Sequence, residues 1–195
     1  MRPSVLRMMD RLTDLPAMLL NARADILAWN PMAAALLGDF SALPVARRNI
    51  VWQRFAGVGP GRLITDGDER ERLDRAAVAD LRAAAARYPD DPTLHRMIHE
   101  LQRRSPEFAR LWALRPVPAR HSDRKRFGHP QLGSIELDCD VLTVPGHDHV
   151  LIVYSAPPGG PEAEALALLR VLGTDPLTAT ATHPSQHATL DLYGS

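Results

Sequence analysis

The sequence predicts an α+β fold: a central antiparallel sheet with several helices inserted between its strands and packed on one face. Three observations carry this. Residues 25–38 pass from a short apolar run into helical spacing. Residues 66–112 hold three consecutive helical patterns, each with its own start signal. Residues 135–141 alternate apolar and acidic side chains, the period of a half-solvated strand.

The corner at 25–38 organises the rest. Ile26, Leu27, Ala28 and Trp29 read as a short, mostly buried strand. Asn30 offers a side-chain oxygen as a helix N-cap, and Pro31 suits the first helical position. Met32, Leu36 and Leu37 share one helical face, and Gly38 can close the helix in a left-handed conformation.

Before the corner, Val5, Leu6, Met8, Met9 and Leu12 have helical spacing over residues 4–13, ended by Asp14 and Pro16. Ala17–Leu20 is a strand, and residues 21–25 form the turn of a hairpin. After it, Arg47-Arg48-Asn49 precedes a short helix carrying Trp52 and Phe55. The glycine-rich residues 57–61 lack the G-x-x-x-x-G-K-[ST] phosphate loop and read as a connection.

Residues 66–88 form a long helix, with Leu73, Ala77, Leu81, Ala84 and Tyr88 as its apolar stripe. Asp91-Pro92 starts the next, with Leu94, Met97, Ile98 and Leu101 facing inward. Ser105-Pro106-Glu107 starts a third, whose apolar face is Phe108, Leu111 and Trp112. Strands are expected at 117–121, 135–141 and 150–154, giving about five in all. A last amphipathic helix spans 162–172, with Leu166, Leu169 and Val171. From residue 174 no apolar face persists, and a flexible tail is expected.

Composition excludes several classes. The chain has 195 residues, is 45% apolar and carries no net charge, so gripping phosphates is not its main task. Charge is nonetheless uneven. Residues 103–126 hold eight basic side chains, either a local patch or a solvated face. No apolar run approaches the ~18 residues a membrane span needs. Cys139 is the only cysteine, which fits a reducing cytoplasm.

No catalytic constellation is evident. His95 and His99 stand four apart, but Arg96 occupies the place of the metalloprotease glutamate. His147 and His149 lack a third ligand. Cys139 lies between Asp138 and Asp140, which oppose a thiolate. No carboxylate stands out in an apolar setting that would raise its pKa. The expectation is therefore a non-enzyme with no cofactor and no metal. The stronger signal is aromatic. Trp29, Trp52, Phe55, Tyr88, Phe108 and Trp112 either line a small-molecule pocket or simply fill the core.

A series of landmarks adds to this reading: Leu15-Pro16-Ala17, Trp29-Asn30, Arg48-Asn49, Ala79-Asp80-Leu81-Arg82, Tyr88-Pro89-Asp90-Asp91-Pro92, Ser105 to Phe108, Leu111-Trp112-Ala113, His129-Pro130 and Tyr154 to Pro157. In this order they resemble the ligand-binding domain of MmyB-like transcription regulators, a PAS-like domain that normally follows an Xre-type helix-turn-helix. The resemblance covers residues 3–173. It departs from the family pattern at Asp68 and at Arg115-Pro116.

The resemblance implies a cytoplasmic regulator, a fatty-acid-like ligand and a homodimer. DNA would be reached only through a helix-turn-helix, and none is recognised in this sequence. The expected ligand-binding residues are Trp29, Phe55, Leu81, Phe108 and Trp112. Arg48, Asn49 and His129 are added as orienting groups because they stand at landmark positions. The alternative is a protein-interaction or dimerisation domain with a filled core and no pocket.

Overall fold

A computed structural model describes residues 3–57, 62–115, 123–146 and 148–174. The chain begins with helix α1 (Pro3–Arg11) and the hairpin β1 (Ala17–Asn21) and β2 (Ile26–Trp29), followed by α2 (Pro31–Leu37). Two 3-10 turns lead to α3 (Ile50–Ala56). A two-residue strand, β3 (Leu63–Ile64), precedes α4 (Gly67–Arg87), α5 (Pro92–Arg104) and α6 (Pro106–Leu114). The chain then returns through β4 (Asp123–His129), β5 (Gly133–Val144) and β6 (His149–Ser155) to α7 (Pro161–Thr174).

The six strands form one antiparallel sheet in the order β2-β1-β6-β5-β4-β3. The first and last long strands meet at its centre, Leu19 opposite Leu151. The helices from α2 to α6 are therefore an insertion between two halves of one sheet, to which the short edge strand β3 also belongs. The fold is α+β, as the periodicities predict.

Pairing residues alternate between two apolar faces. Met18, Leu20, Phe127, Leu137, Ile152 and Tyr154 face α2 and α7. Ala17, Leu19, Leu151 and Val153 face α1 through Met9. The inserted helices α3–α6 bury a third core of their own, around Val78, Leu81, Leu94, Leu101, Phe108 and Leu111.

Asn30 does more than start α2. Its Oδ1 accepts from the N–H of both Ala33 and Ala17, and its Nδ2 donates to the carbonyls of Leu12 and Leu15. One buried amide thus fastens the end of α1, both hairpin strands and α2. Its full hydrogen-bonding capacity is used, as burial of an amide requires. Gly38 has the expected positive φ, 99°, but its ψ of 153° lies outside the left-handed helical region.

Several expectations need correction. Residues 123–129 and 63–64 are strands that the periodicity did not reveal, because β4 reads Asp-Arg-Lys-Arg along most of its length. The strand expected at 117–121 lies outside the described residues, as does the tail from 175 on. In α4 the buried residues are Glu69, Asp74, Val78, Ala79, Leu81 and Ala84, while Leu73 and Ala77 are half-buried. Val171 is exposed, because two residues beyond Leu169 is about 200° around the helix.

Candidate ligand-binding site

The inserted helices assemble a stacked aromatic wall. α3 is aimed by Asn49, whose Oδ1 accepts from the Trp52 N–H. α6 is aimed by Ser105, whose hydroxyl accepts from the Phe108 N–H. Both are helix N-caps, and both place an aromatic on the inward face of the first turn. Phe55 then meets Phe108 edge to face at 5.1 Å, and Phe108 lies against Trp112 at 5.6 Å with an interplanar angle of 19°. Leu81 of α4 belongs to the same core and is fully buried.

Arg82 stands beside this wall. Its guanidinium lies 4.7 Å from the Trp112 ring centroid and donates to the Trp112 carbonyl at 2.9 Å. A cation over an indole face is attracted by the ring quadrupole. Phe108 is wholly buried, whereas Phe55 and Trp112 are each half-buried. The wall is thus apolar inside, partly open at both ends and bordered by a cation at one of them.

The other expected site residues lie against the sheet. Trp29 meets Phe40 edge to face at 5.5 Å, and the Arg48 guanidinium covers the Trp29 ring at 5.5 Å. Arg48 also donates to the carbonyls of Leu43 and Ser41. His129 ends β4. Its Nδ1 accepts from the N–H of Gln131 and Leu132, and the Ala35 carbonyl takes its other hydrogen bond. Burial, reinforced by the nearby Arg62, holds the His129 pKa below its ordinary value. A neutral ring is what two incoming N–H donors require.

Asn49 lies between the two groups. Its Nδ2 donates to the Arg23 carbonyl and to Asp25 Oδ1, each at 2.8 Å. Residues 21–25, the β1–β2 turn, therefore grip the start of the insertion. Ile50 N–H donates to the Ala24 carbonyl and Ile26 N–H to the Arg48 carbonyl. Ala24 adopts φ 66°, a left-handed conformation that costs an alanine free energy.

From the same turn, Arg23 pairs with Asp25 and reaches Asp91, the N-cap of α5, at 2.8 Å. Burial opposes the Arg23 charge, but the bonds to Asp91 and Asp25 outweigh it and raise its pKa. Burial also opposes the Asp91 charge. Hydrogen bonds from Leu94 N–H, Arg23 and Thr93 N–H prevail, so its carboxyl lies below the usual range. A polar cleft of about 260 Å³ opens here, lined by Asn21, Arg23, Tyr88, Asp91, Asp148 and His149. Asp148, in the β5–β6 turn, accepts from Arg87 and from the Tyr88 hydroxyl across it.

Eight expected residues thus divide in two. Phe55, Leu81, Phe108 and Trp112 converge in the insertion; Trp29, Arg48 and His129 stay with the sheet; Asn49 joins them. Residues 1–169 match the family model of the MmyB-like transcription regulator ligand binding domain. The chain belongs to this family. No curated protein matches it.

The MmyB-like domain contains features that residue patterns did not single out. Asp74 is buried and bonded to Arg54, yet burial outweighs the pairing and its pKa is raised. This corrects the expectation that no carboxylate sits in such a setting; the signal was its place within the helical stripe of Leu81 and Ala84. Arg82 was visible only as part of a landmark. Trp52 was counted among the aromatics, but not the fact that its Nε1 is buried with no acceptor among the described residues. Among those residues no three potential ligands gather to hold a metal, and no helix is long and apolar enough to cross a membrane.

Proposed function

We propose that this domain senses a small apolar or fatty-acid-like molecule, held by the α3–α6 insertion, and thereby modulates DNA binding by a helix-turn-helix domain outside these residues. The observation that carries the reading is the Phe55–Phe108–Trp112 stack with Arg82 at its edge. An apolar chain matches the rings, and a carboxylate matches a guanidinium. Leu81 completes the apolar lining, while Trp29, Arg48, Asn49 and His129 hold the frame on the sheet side.

A ligand shifts a regulator only through different affinities for two of its states. The two states in this reading are two placements of the insertion against the sheet. Asp91 caps α5 and holds Arg23, so movement of α5 pulls on the β1–β2 turn. β1 in turn carries α1 on its far face. In a homodimer of a cytoplasmic regulator, such a shift changes the geometry of two DNA-reading heads.

A second reading is favoured by a specific observation. Phe108 and Leu81 are closed over by their own neighbours, 0% and 1% exposed. A core filled in this way suits a dimerisation or protein-interaction domain. Native and denaturing mass spectrometry of freshly purified protein separates the two. A retained small molecule, lost on denaturation and diminished in Trp112→Ala, is the expected result. A clean mass, with no binding of added decanoate, would overturn the sensor reading in favour of the second.

A further inference from the structure

Trp52 is the buried polar group that the fold leaves unexplained. It sits in the first turn of α3, 7% exposed, and its backbone N–H is taken by Asn49. Its indole Nε1 is buried and has no hydrogen-bond acceptor among the described residues. An indole N–H is only a donor, so nothing else can satisfy it. Buried donors are nearly always paired, and one left unpaired costs free energy that a paired one does not.

The buried side chains around the indole offer no partner. The buried residues of the core that Trp52 shares include Val51, Leu81, Leu94, Leu101 and Phe108, none of which has a side-chain acceptor; Tyr88 and Met97 stand at its partly buried margin, and the Tyr88 hydroxyl is given to Asp148. A trapped water needs two to four polar partners, and those buried side chains offer none. Over the ring lies the Arg104 guanidinium, 5.6 Å from its centroid, another donor and no acceptor. Arg104 is itself paired with Glu100 at 2.9 Å, so the carboxylate recorded beside this setting is engaged by the cation, while the indole donor has no partner among the described residues.

Phe55 lies one helical turn beyond Trp52 on α3 and belongs to the aromatic stack. We infer that Trp52 Nε1 is the hydrogen-bond donor of the ligand site, and that the molecule sensed carries an acceptor oxygen, a carbonyl or carboxylate, on its apolar body. This rests on the sensor reading above and sharpens it. The apolar stack selects for a chain or ring; the indole N–H selects against plain hydrocarbon. A site whose buried donor is satisfied only by the right ligand discriminates more strongly than an apolar pocket can.

The test uses the full chain labelled with 15N, in which the three tryptophans give three indole N–H resonances. Trp29→Phe and Trp112→Phe assign two of them, and so Trp52 by elimination. Decanoate, its neutral counterpart 2-decanone, and decane, which has no acceptor, are titrated in turn. The expected result is a downfield shift of the Trp52 indole proton with decanoate and 2-decanone but not with decane. Trp52→Phe keeps an aromatic ring and removes the N–H. It should weaken both oxygenated probes about 10-fold, the worth of one buried hydrogen bond.

If Trp112 responds to decanoate while Trp52 does not, the inference fails and the sensor reading stands. The inference also fails if Trp52→Phe binds decanoate and 2-decanone as tightly as the native protein. If no indole resonance responds to any probe, the sensor reading for this ligand class fails, and the inference with it.

Discussion

The sheet side and the inserted helices differ in how completely they satisfy their buried polar groups, although Ser105 of the insertion is bonded too. On the sheet side, Asn30, Asn49 and His129 are buried and their side chains are bonded to named partners. In the insertion, Asp74 is buried at a cost to its charged form, the Trp52 indole is unpaired, and two rings of the stack are left half-open. A frame is built by satisfying every buried group. A site that must accept something else leaves a few groups waiting. In the proposed reading the insertion holds the ligand, and the sheet is the support that registers it.

The largest effect should come from separating the two regions energetically. Phe108→Ala empties a fully buried position of the insertion and should cost about 3–5 kcal/mol. Hydrogen exchange should show protection lost across α3–α6 before the sheet. Uniform loss would mean that both regions unfold as one unit, which would break the comparison.

Asn49→Ala attacks the joint. It removes a helix cap and two bonds to the β1–β2 turn, and about 1–2 kcal/mol should be lost in denaturant unfolding. A change below about 0.5 kcal/mol would show that the two regions are fastened elsewhere, since exposed substitutions with no such role fall in that range.

Arg23→Gln cuts a partly exposed ion pair across the same joint, so at most about 1 kcal/mol is expected, fading as salt is added. A loss that persists in high salt would assign Arg23 a packing role instead.

Acid should distinguish the regions by pH window. The folded His129 pKa is depressed, so the unfolded state takes up its proton first. Stability that depends on His129 is present above its unfolded pKa of about 6.5 and is lost as pH falls below it toward the folded value. Asp91 also has a depressed folded pKa, but as a carboxylate. Its contribution is present above an unfolded pKa of about 3.9 and is lost only below that. His129→Asn keeps an acceptor for the two turn N–H groups and should flatten thermal stability between pH 7 and 5. An unchanged slope would place that titration on another group.

Much of this architecture was legible in advance where one residue type answers to one local demand. Asn30, Asp91 and Ser105 act as N-caps ahead of Pro31, Pro92 and Pro106, and each helix starts there. Ile135, Leu137 and Cys139 turn inward from β5 as their alternation requires. The strand Asp123–His129 was not legible, since a run of charged residues carries no period that marks it as paired. Of the candidate site, the aromatics could be named but not grouped. Phe55, Phe108 and Trp112 are separated by up to 57 positions and by two other helices, yet they stack.

The sequence by itself determined where the capped helices and the apolar strands begin and which family the landmarks indicate, because caps, prolines and periodicity act over a few residues. Only the tertiary structure decided that Arg48 would cover Trp29, that Asp74 would be buried beside Arg54, and that the Trp52 indole would find no acceptor. Those outcomes depend on which distant groups burial brings together. Desolvation and pairing are properties of a neighbourhood, and a neighbourhood exists only once the chain has folded.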